Sequence, residues 1–132
     1  MTKIKTCCFF GNNVSRIYNL ENSARWTIET HILENNVRKF IFGSGGEFEE
    51  YCYRIVKSCQ TKFPPIVCEV IPCCNLNDIK KIIDLCDFCV FESTTVIPKI
   101  YKCEGIEIKS IVDKACFAYS YAFENNKRIC YI

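Results

Sequence analysis

The regular alternation of short apolar segments with amphipathic stripes constrains the fold of this chain more than any other feature. Five apolar segments are predicted to be strands: Ile4–Phe10, Lys39–Phe42, Ile66–Ile71, Phe88–Phe91 and Arg128–Ile132. Four segments with helical spacing lie between them: Ile17–Ile32, Glu47–Gln60, Ile79–Ile83 and Ile108–Ala122. Continuous apolar strands between amphipathic helices are typical of a parallel sheet that is covered on both faces. With right-handed crossovers, we predict a three-layer, Rossmann-like α/β fold with a five-stranded parallel sheet in the order 3-2-1-4-5.

Length and composition limit the classes of protein to which this chain can belong. With 132 residues, 49% of them apolar, it can build one sizeable core, so we predict a single domain over residues 1–132. The net charge of only +2 provides no basic field for nucleic acid. No apolar stretch reaches the roughly 18 residues that a membrane span needs, and Met1–Lys5 leads into a strand without a signal peptide. We therefore expect a cytoplasmic protein, located in the host cytoplasm if a virus encodes it.

Cysteine is unusually frequent in this chain. The twelve cysteines fall mostly at apolar positions of the predicted elements: Cys7, Cys8, Cys52, Cys59, Cys68, Cys73, Cys74, Cys86, Cys89, Cys103, Cys116 and Cys130. Two cysteine pairs could in principle bind a metal: the adjacent Cys7 and Cys8, and the CxxC pair Cys86 and Cys89. Strand residues alternate between faces, so the two thiols of each pair should point to opposite faces of the sheet. We expect twelve reduced, mostly buried thiols that act as small hydrophobic side chains, with a structural metal as the alternative.

A glycine-rich turn connects the second predicted strand to the second predicted helix. It consists of Gly43, Ser44, Gly45 and Gly46. Such a turn can bring backbone N–H groups to the positive end of the helix dipole, an arrangement that favours a phosphate group. The alternative is an ordinary connection in which glycine only provides a positive φ angle.

The loop after the first predicted strand should lie at the same edge of the sheet as this turn. It begins with Gly11, Asn12 and Asn13. The asparagine side chains can donate hydrogen bonds without adding charge, which suits holding a ligand more than activating one. We therefore predict that a phosphate-bearing ligand binds between this loop and the Gly43–Gly46 turn.

Three glutamates, Glu47, Glu49 and Glu50, open the second predicted helix. Carboxylates in the first turn complement the helix dipole, which is the simplest interpretation of all three. A ligand-binding role is the alternative, above all for Glu49. Carboxylates at this position suit the hydroxyl groups of a ribose better than a second phosphate, since like charges repel.

The only histidine, His31, is expected at the surface of the first helix, away from the edge that carries the loops. We therefore expect neither a Cys–His pair nor a Ser–His–Asp triad.

Two pairs of tyrosines, Tyr51 with Tyr53 and Tyr119 with Tyr121, lie at helical offsets that place one member of each pair in the core and the other on a second face of the helix. One such face is a candidate contact with another subunit, and ordinary surface tyrosines are the alternative.

Four segments of the chain resemble, in the expected order, the SLOG superfamily, a Rossmann-like group named for the Smf/DprA and Lonely-Guy proteins. The similarity is greatest to its YpsA-like branch. The segments are Thr6–Gly11, Phe40–Glu49, Asp87–Phe91 and Ala118–Ala122, the last followed by the closing strand. In the branch they correspond to the opening strand, the phosphate-side turn, the fourth strand and an Ala-Tyr-x-Tyr-Ala helix. The resemblance thus covers nearly the whole chain.

The resemblance implies non-catalytic binding of a ribose- and phosphate-containing nucleotide, such as an ADP-ribose-derived signal. The protein would then be a sensor or a viral anti-defence sponge, and it would form a homodimer or a higher homo-oligomer, as SLOG-like domains often do. We expect no catalytic residue, metal or cofactor. The residues predicted to bind the ligand are Gly11, Asn12, Asn13, Gly43, Ser44, Gly45, Gly46, Glu47 and Glu49.

Departures from the family pattern argue against inherited catalysis. Asn12 and Asn13 replace the imidazole and guanidinium of a Gly-His-Arg run, and Asp113–Ala115 replaces a Ser-Gly-Thr turn before the last helix. The Pro-Gly-Gly-x-Gly-Thr-x-x-Glu signature of Lonely-Guy hydrolases is not reproduced, since Gly46 is followed directly by Glu47. A nucleotide N-glycosidase of the Lonely-Guy type is the alternative function. A structural subunit with a vestigial pocket is a third.

Overall fold

Strands and helices alternate through the described part of the chain, as the sequence predicts. The computed structural model describes residues 3–11, 20–43, 46–63, 65–92 and 111–132, with only the backbone for residues 111–113. In order, the elements are β1 (Lys5–Phe10), α1 (Glu21–Glu34), β2 (Val37–Phe42), α2 (Glu47–Lys62), β3 (Val67–Val70), α3 (Leu76–Asp84), β4 (Phe88–Phe91), α4 (Ile111–Glu124) and β5 (Arg128–Tyr131). No helix within these ranges is long and apolar enough to cross a membrane.

The five strands form one parallel sheet in the order β3-β2-β1-β4-β5, which confirms the predicted architecture. β1 lies at the centre, where Cys8 pairs with Ile41 of β2 on one side and with Cys89 of β4 on the other. The chain runs outward from β1 to β3 and then crosses back to β4. Because all strands are parallel, their carboxyl ends lie at one edge of the sheet. The direction of winding reverses between β1 and β4.

The element boundaries differ from the predicted ones by a few residues. β2 begins at Val37 rather than at Lys39, because Val37 is fully buried and pairs with Lys5 of β1. β3 is shorter than predicted and spans only Val67–Val70. The predicted start of the last helix, Ile108, lies outside the described residues.

The side chains of the central strand alternate between two cores, one on each face of the sheet. Phe9 points to the layer of α1 and α2, where its ring stacks on those of Phe40 and Phe42 at centroid distances of 6.0 and 4.9 Å. Phe10 points to the layer of α3 and α4 and stacks on Phe91 at 6.2 Å. Because both faces are covered at the centre of the sheet, β4 and the last four residues of β1 are continuous apolar runs rather than alternating patterns.

Most cysteines are buried apolar side chains, as predicted, but the expectation of twelve free thiols is wrong. Ten of the described cysteines are free, whereas Cys116 in α4 forms a disulfide bond. A disulfide requires two Cβ atoms that meet in space, which the spacing of cysteines along the chain does not reveal.

Cys86 and Cys89 also differ from the prediction, because both side chains lie in the core between the sheet and the α3–α4 layer. Cys86 precedes β4, so the alternation of strand residues does not apply to it. The Sγ atom of Cys89 lies 3.6 Å from that of Cys8, and burial raises the pKa of the Cys8 thiol well above its usual range. In the part of the chain that the structure describes, no three His, Cys, Asp or Glu side chains are arranged to hold a metal ion.

A thiol titration should distinguish the disulfide from the free cysteines. We expect the denatured, unreduced protein to show fewer than the twelve thiols of the sequence, and reduction to restore all twelve. Alkylation followed by peptide mass spectrometry should find Cys116 labelled only after reduction. Full labelling of Cys116 in the unreduced protein would contradict the disulfide.

Candidate functional site

The candidate site lies at the carboxyl edge of the sheet, where Gly11, Gly43 and Glu92 follow β1, β2 and β4. In open α/β sheets, ligands bind at this edge, close to the point where the strand order reverses. Here that point lies between β1 and β4, beside Gly11 and Glu92. Four of the predicted site residues lie outside the described ranges: Asn12, Asn13, Ser44 and Gly45.

Gly11 allows the first turn of α2 to pack directly on the end of β1. A Cβ atom at this position would lie 2.3 Å from Cδ2 of Phe48 and 2.9 Å from Cβ of Glu92. Both distances are much shorter than van der Waals contact, so only glycine fits between these two side chains. Phe48 is fully buried, and its packing on Gly11 fixes the start of α2 at the end of the central strand.

The two described glycines of the predicted phosphate-side turn have different roles. Gly46 immediately precedes α2 with a φ angle of 102°, a conformation that strongly favours glycine. Its carbonyl oxygen accepts a hydrogen bond from the N–H of Glu50 at 3.0 Å, and it has no side chain with which to cap the helix. At Gly43, a Cβ atom would lie 3.0 Å from Cβ of Cys73 and 3.8 Å from Oε2 of Glu49. Gly43 therefore keeps the space beside Glu49 clear.

Glu49 has the most perturbed environment of the described acidic residues. Only 4% of its surface is exposed, and its Oε2 atom has no hydrogen-bond partner within the described structure. Burial raises the pKa of the Glu49 carboxyl group from 4.5 to about 8, against the opposing effect of the positive charge of Lys114. The carboxyl group is therefore largely protonated at neutral pH, so it can donate as well as accept a hydrogen bond.

The other two glutamates at the start of α2 point to solvent. Glu47 and Glu50 are both exposed, and Glu50 pairs with Arg54 one turn later at 2.7 Å. Complementing the helix dipole accounts for these two carboxylates but not for a buried, neutral Glu49. Glu47 lies at the same edge as Glu49, and its role in ligand binding stays a prediction.

A pocket with a volume of about 280 Å³ opens beside Glu49 at the start of α2. Its lining residues come from the ends of β2 and β3 and from the first turns of α2: Phe42, Gly43, Gly46, Glu49, Glu50, Tyr53 and Val70. Apolar side chains form much of the wall, and the carboxyl groups provide the polar contacts. A largely apolar wall with a few convergent polar groups is typical of a small-molecule site.

Sequence reasoning misses two residues of this site, Cys73 and Lys114. The Nζ atom of Lys114, in the first turn of α4, donates a hydrogen bond to the carbonyl oxygen of Cys73 at 3.0 Å. Burial raises the pKa of the Cys73 thiol to about 11, so this cysteine is not a reactive thiolate at neutral pH. The available signal was topological: α4 follows β4, so its first turn must lie near the carboxyl edge of the sheet.

The environment of His31 corrects two predictions. His31 is only 5% exposed rather than at the surface, because it lies on the same side of α1 as Ile28, which faces the sheet. Its Nε2 atom lies 3.6 Å from Sγ of Cys130, so a Cys–His contact is present after all. Burial lowers the pKa of His31 and raises that of Cys130, which favours two neutral groups over a thiolate–imidazolium pair. The imidazole also packs on Phe88, the first residue of β4, and therefore lies at the edge opposite Glu49.

The sequence matches no protein-family model and no curated protein. The chemical groups at the candidate site indicate what kind of ligand it can bind. A neutral carboxyl group from Glu49, an ammonium group from Lys114 and the start of α2 lie at one edge of the sheet. Together they are suited to bind hydroxyl groups and an anion.

Replacing Gly11 by alanine should destabilise the fold. The added methyl group would overlap the ring of Phe48, and overpacking of this kind costs about 1–3 kcal/mol of the free energy of unfolding. Gly43→Ala is the matched control, since its closest new contact is 3.0 Å and neither glycine has a positive φ angle. Chemical denaturation measures both variants. If Gly43→Ala were less stable than Gly11→Ala, the space beside Phe48 at position 11 would not be tighter than the space beside Cys73 at position 43.

Replacing Glu49 by glutamine should change the pH dependence of stability. As the pH rises from about 4.5 to about 8, the unfolded chain releases a proton that the folded protein retains. The wild type should lose stability across this window, by up to about 1.4 kcal/mol for each pH unit, whereas a glutamine at this position does not titrate. The Tm of Glu49→Gln relative to the wild type should therefore be higher at about pH 8 than at about pH 5.

The exposed Glu124, at the end of α4, provides the control for this measurement. Glu124→Gln, measured at the same two pH values, shows the effect of replacing an exposed carboxyl group by an amide. A pH-independent difference for Glu49→Gln would mean that the Glu49 carboxyl group ionises normally in the folded protein.

Proposed function

We propose that this protein binds a small nucleotide with ribose and phosphate groups at the carboxyl edge of its sheet and does not turn it over. The observation that carries the proposal is the Oε2 atom of Glu49, which is buried beside the pocket and lacks a partner among the described residues. Buried polar atoms in native structures nearly always have a hydrogen-bond partner. A hydroxyl group of a ligand in the pocket would supply one.

Ribose and phosphate both suit the polar groups around the pocket. A neutral carboxyl group can accept a hydrogen bond from one hydroxyl group and donate to another, as a ribose diol requires. The start of α2 favours a phosphate, because Gly46 provides no side-chain cap and the helix dipole is positive there. The positive charge of Lys114 acts in the same direction.

The resemblance to the SLOG superfamily supports a signalling nucleotide as the ligand, and we propose ADP-ribose derivatives as the first class to test. A protein that holds such a molecule without consuming it would act as a sensor. If a virus encodes it, it would act as a sponge in the host cytoplasm. On the same resemblance, we propose that the protein forms homo-oligomers.

The described side chains favour binding over turnover. His31, the only histidine of the chain, lies at the opposite edge of the sheet, against Phe88. Cys73 is a buried thiol whose raised pKa makes it a poor nucleophile. Asn12 and Asn13 occupy the positions at which the family has an imidazole and a guanidinium group.

A nucleotide N-glycosidase is the second candidate, because a carboxyl group with a pKa of about 8 is suited to general acid catalysis. In that reaction Glu49 would give its proton to the leaving nitrogen of the base as the N-glycosidic bond breaks. Water would add its hydroxyl group to C1′ of the ribose, and the remaining proton of the water would return to Glu49.

Calorimetry with two substitutions at Glu49 tests the proposal. Glu49→Met removes the polar atoms and keeps a similar volume, so it should weaken nucleotide binding at least about tenfold. Glu49→Gln resembles the neutral carboxyl group and should retain most of the affinity. Glu124→Met, on an exposed position of α4, is the matched control and should bind like the wild type.

The ligand should be found in one of two ways. Purified protein should release a bound nucleotide on denaturation, identified by mass spectrometry, or should bind a member of a panel of ADP-ribose derivatives and nucleoside monophosphates. Equal binding by the wild type and Glu49→Met would place the site elsewhere. Release of free base from a monophosphate by the wild type, lost in Glu49→Gln, would favour the N-glycosidase.

A further inference from the structure

Lys114 reaches from one helical layer to the edge that carries the pocket. It lies in the first turn of α4, whereas Glu49 belongs to α2 on the other face of the sheet. Its side chain is half-buried, and its Nζ atom donates to the carbonyl oxygen of Cys73 at 3.0 Å. This bond holds the ammonium group at the carboxyl edge of the sheet instead of letting it extend into solvent.

The charge of Lys114 acts on Glu49 without a direct contact. Among the described groups, Lys114 is the only one whose charge lowers the pKa of the Glu49 carboxyl group, and it lowers that of Cys73 as well. Yet the ion pairs found between described residues do not include one between Glu49 and Lys114. A Cβ atom at Gly43 would lie close to both Cβ of Cys73 and Oε2 of Glu49, so Cys73, to which Lys114 is bonded, lies beside Glu49. The ammonium and carboxyl groups therefore lie at the same part of the edge without forming an ion pair.

From this geometry we infer that Lys114 binds a phosphate group of the ligand while the Glu49 carboxyl group binds its ribose, so that phosphate and ribose occupy separate subsites. The inference rests on the proposed nucleotide-binding function and adds the residue that recognises the anion. A lysine ammonium group has three donors, so a bond to a phosphate oxygen is compatible with the bond to Cys73 and with the further contact that Lys114 makes within the chain.

Partial burial makes Lys114 a stronger anion site than an exposed lysine. The attraction between an ammonium group and a phosphate is greater where less water screens it, and the bond to Cys73 already restricts the flexible side chain. The family resemblance does not imply this role. Asp113, Lys114 and Ala115 stand where the YpsA-like branch often has a Ser-Gly-Thr turn, so the ammonium group is a feature of this chain.

Adenosine 5′-monophosphate and adenosine, used as paired probes in calorimetry, separate the two subsites. Lys114→Met keeps the apolar stem and removes the charge. It should weaken binding of the monophosphate by about tenfold to about a hundredfold and leave binding of adenosine unchanged. Glu49→Met should instead weaken both by a similar factor.

Two further variants control for effects on the fold. Lys114→Arg keeps the charge and should restore much of the affinity for the monophosphate. Lys81→Met removes an exposed lysine from α3 and should bind both probes like the wild type. If Lys114→Met does not fold, the wild type provides a second measurement. Rising salt concentration should weaken its binding of the monophosphate but not of adenosine.

The outcomes separate this inference from the proposed function. An unchanged ratio of the two affinities in Lys114→Met would overturn the role of Lys114 and leave nucleotide binding intact. A wild type that does not prefer the monophosphate, or whose preference does not depend on salt, would also overturn it. A wild type that binds neither these probes nor any ADP-ribose derivative would overturn both proposals.

Discussion

The packing of Phe48 on the end of β1 sets the position of the first turn of α2, and with it of Glu49, at the candidate site. Phe48 is fully buried and occupies the space that a side chain at position 11 would take. Since Phe48 is the second residue of α2, its packing draws the start of the helix onto the sheet edge and buries the next residue, Glu49. One apolar anchor thereby places a carboxyl group where water cannot solvate its charge.

The burial of Glu49 opposes the stability of the fold. A buried carboxyl group without full hydrogen bonding is unfavourable, and an ionised one would be more so, which is why the proton is retained. The helix dipole does not require it, because Glu47 and Glu50 already provide exposed carboxylates in the same turn. A local arrangement that lowers stability with no structural gain is expected mainly at functional sites. The start of α2 is therefore the centre of the proposed site because of the buried Glu49 carboxyl group, and not because of the glycine-rich turn alone.

The fold could be predicted because its signal recurs along the chain. Each apolar strand lies between helical stripes, so β4 is found at the predicted residues, Phe88–Phe91, and the strand order follows from the crossovers. The burial of His31 was harder to predict. A titratable side chain is usually expected at the surface, even where its position on the helix faces the sheet. The disulfide of Cys116 and the bond between Lys114 and Cys73 could not be predicted from the local sequence. Each depends on which distant segments of the chain lie next to each other in the folded protein.

The site draws on both helical layers because of where the strand order reverses. α2 follows β2 and packs on one face, while α4 follows β4 and packs on the other, so their first turns can approach only at the shared carboxyl edge. Glu49 reaches this edge by turning inward beside Gly43, and Lys114 reaches it through its bond to Cys73. In the proposed function, a ligand that contacts both residues joins the two layers, and its binding energy stabilises their packing as well as the complex. Affinity for the ligand and stability of the domain then rise together, which suits a protein that retains a signal rather than one that must release a product.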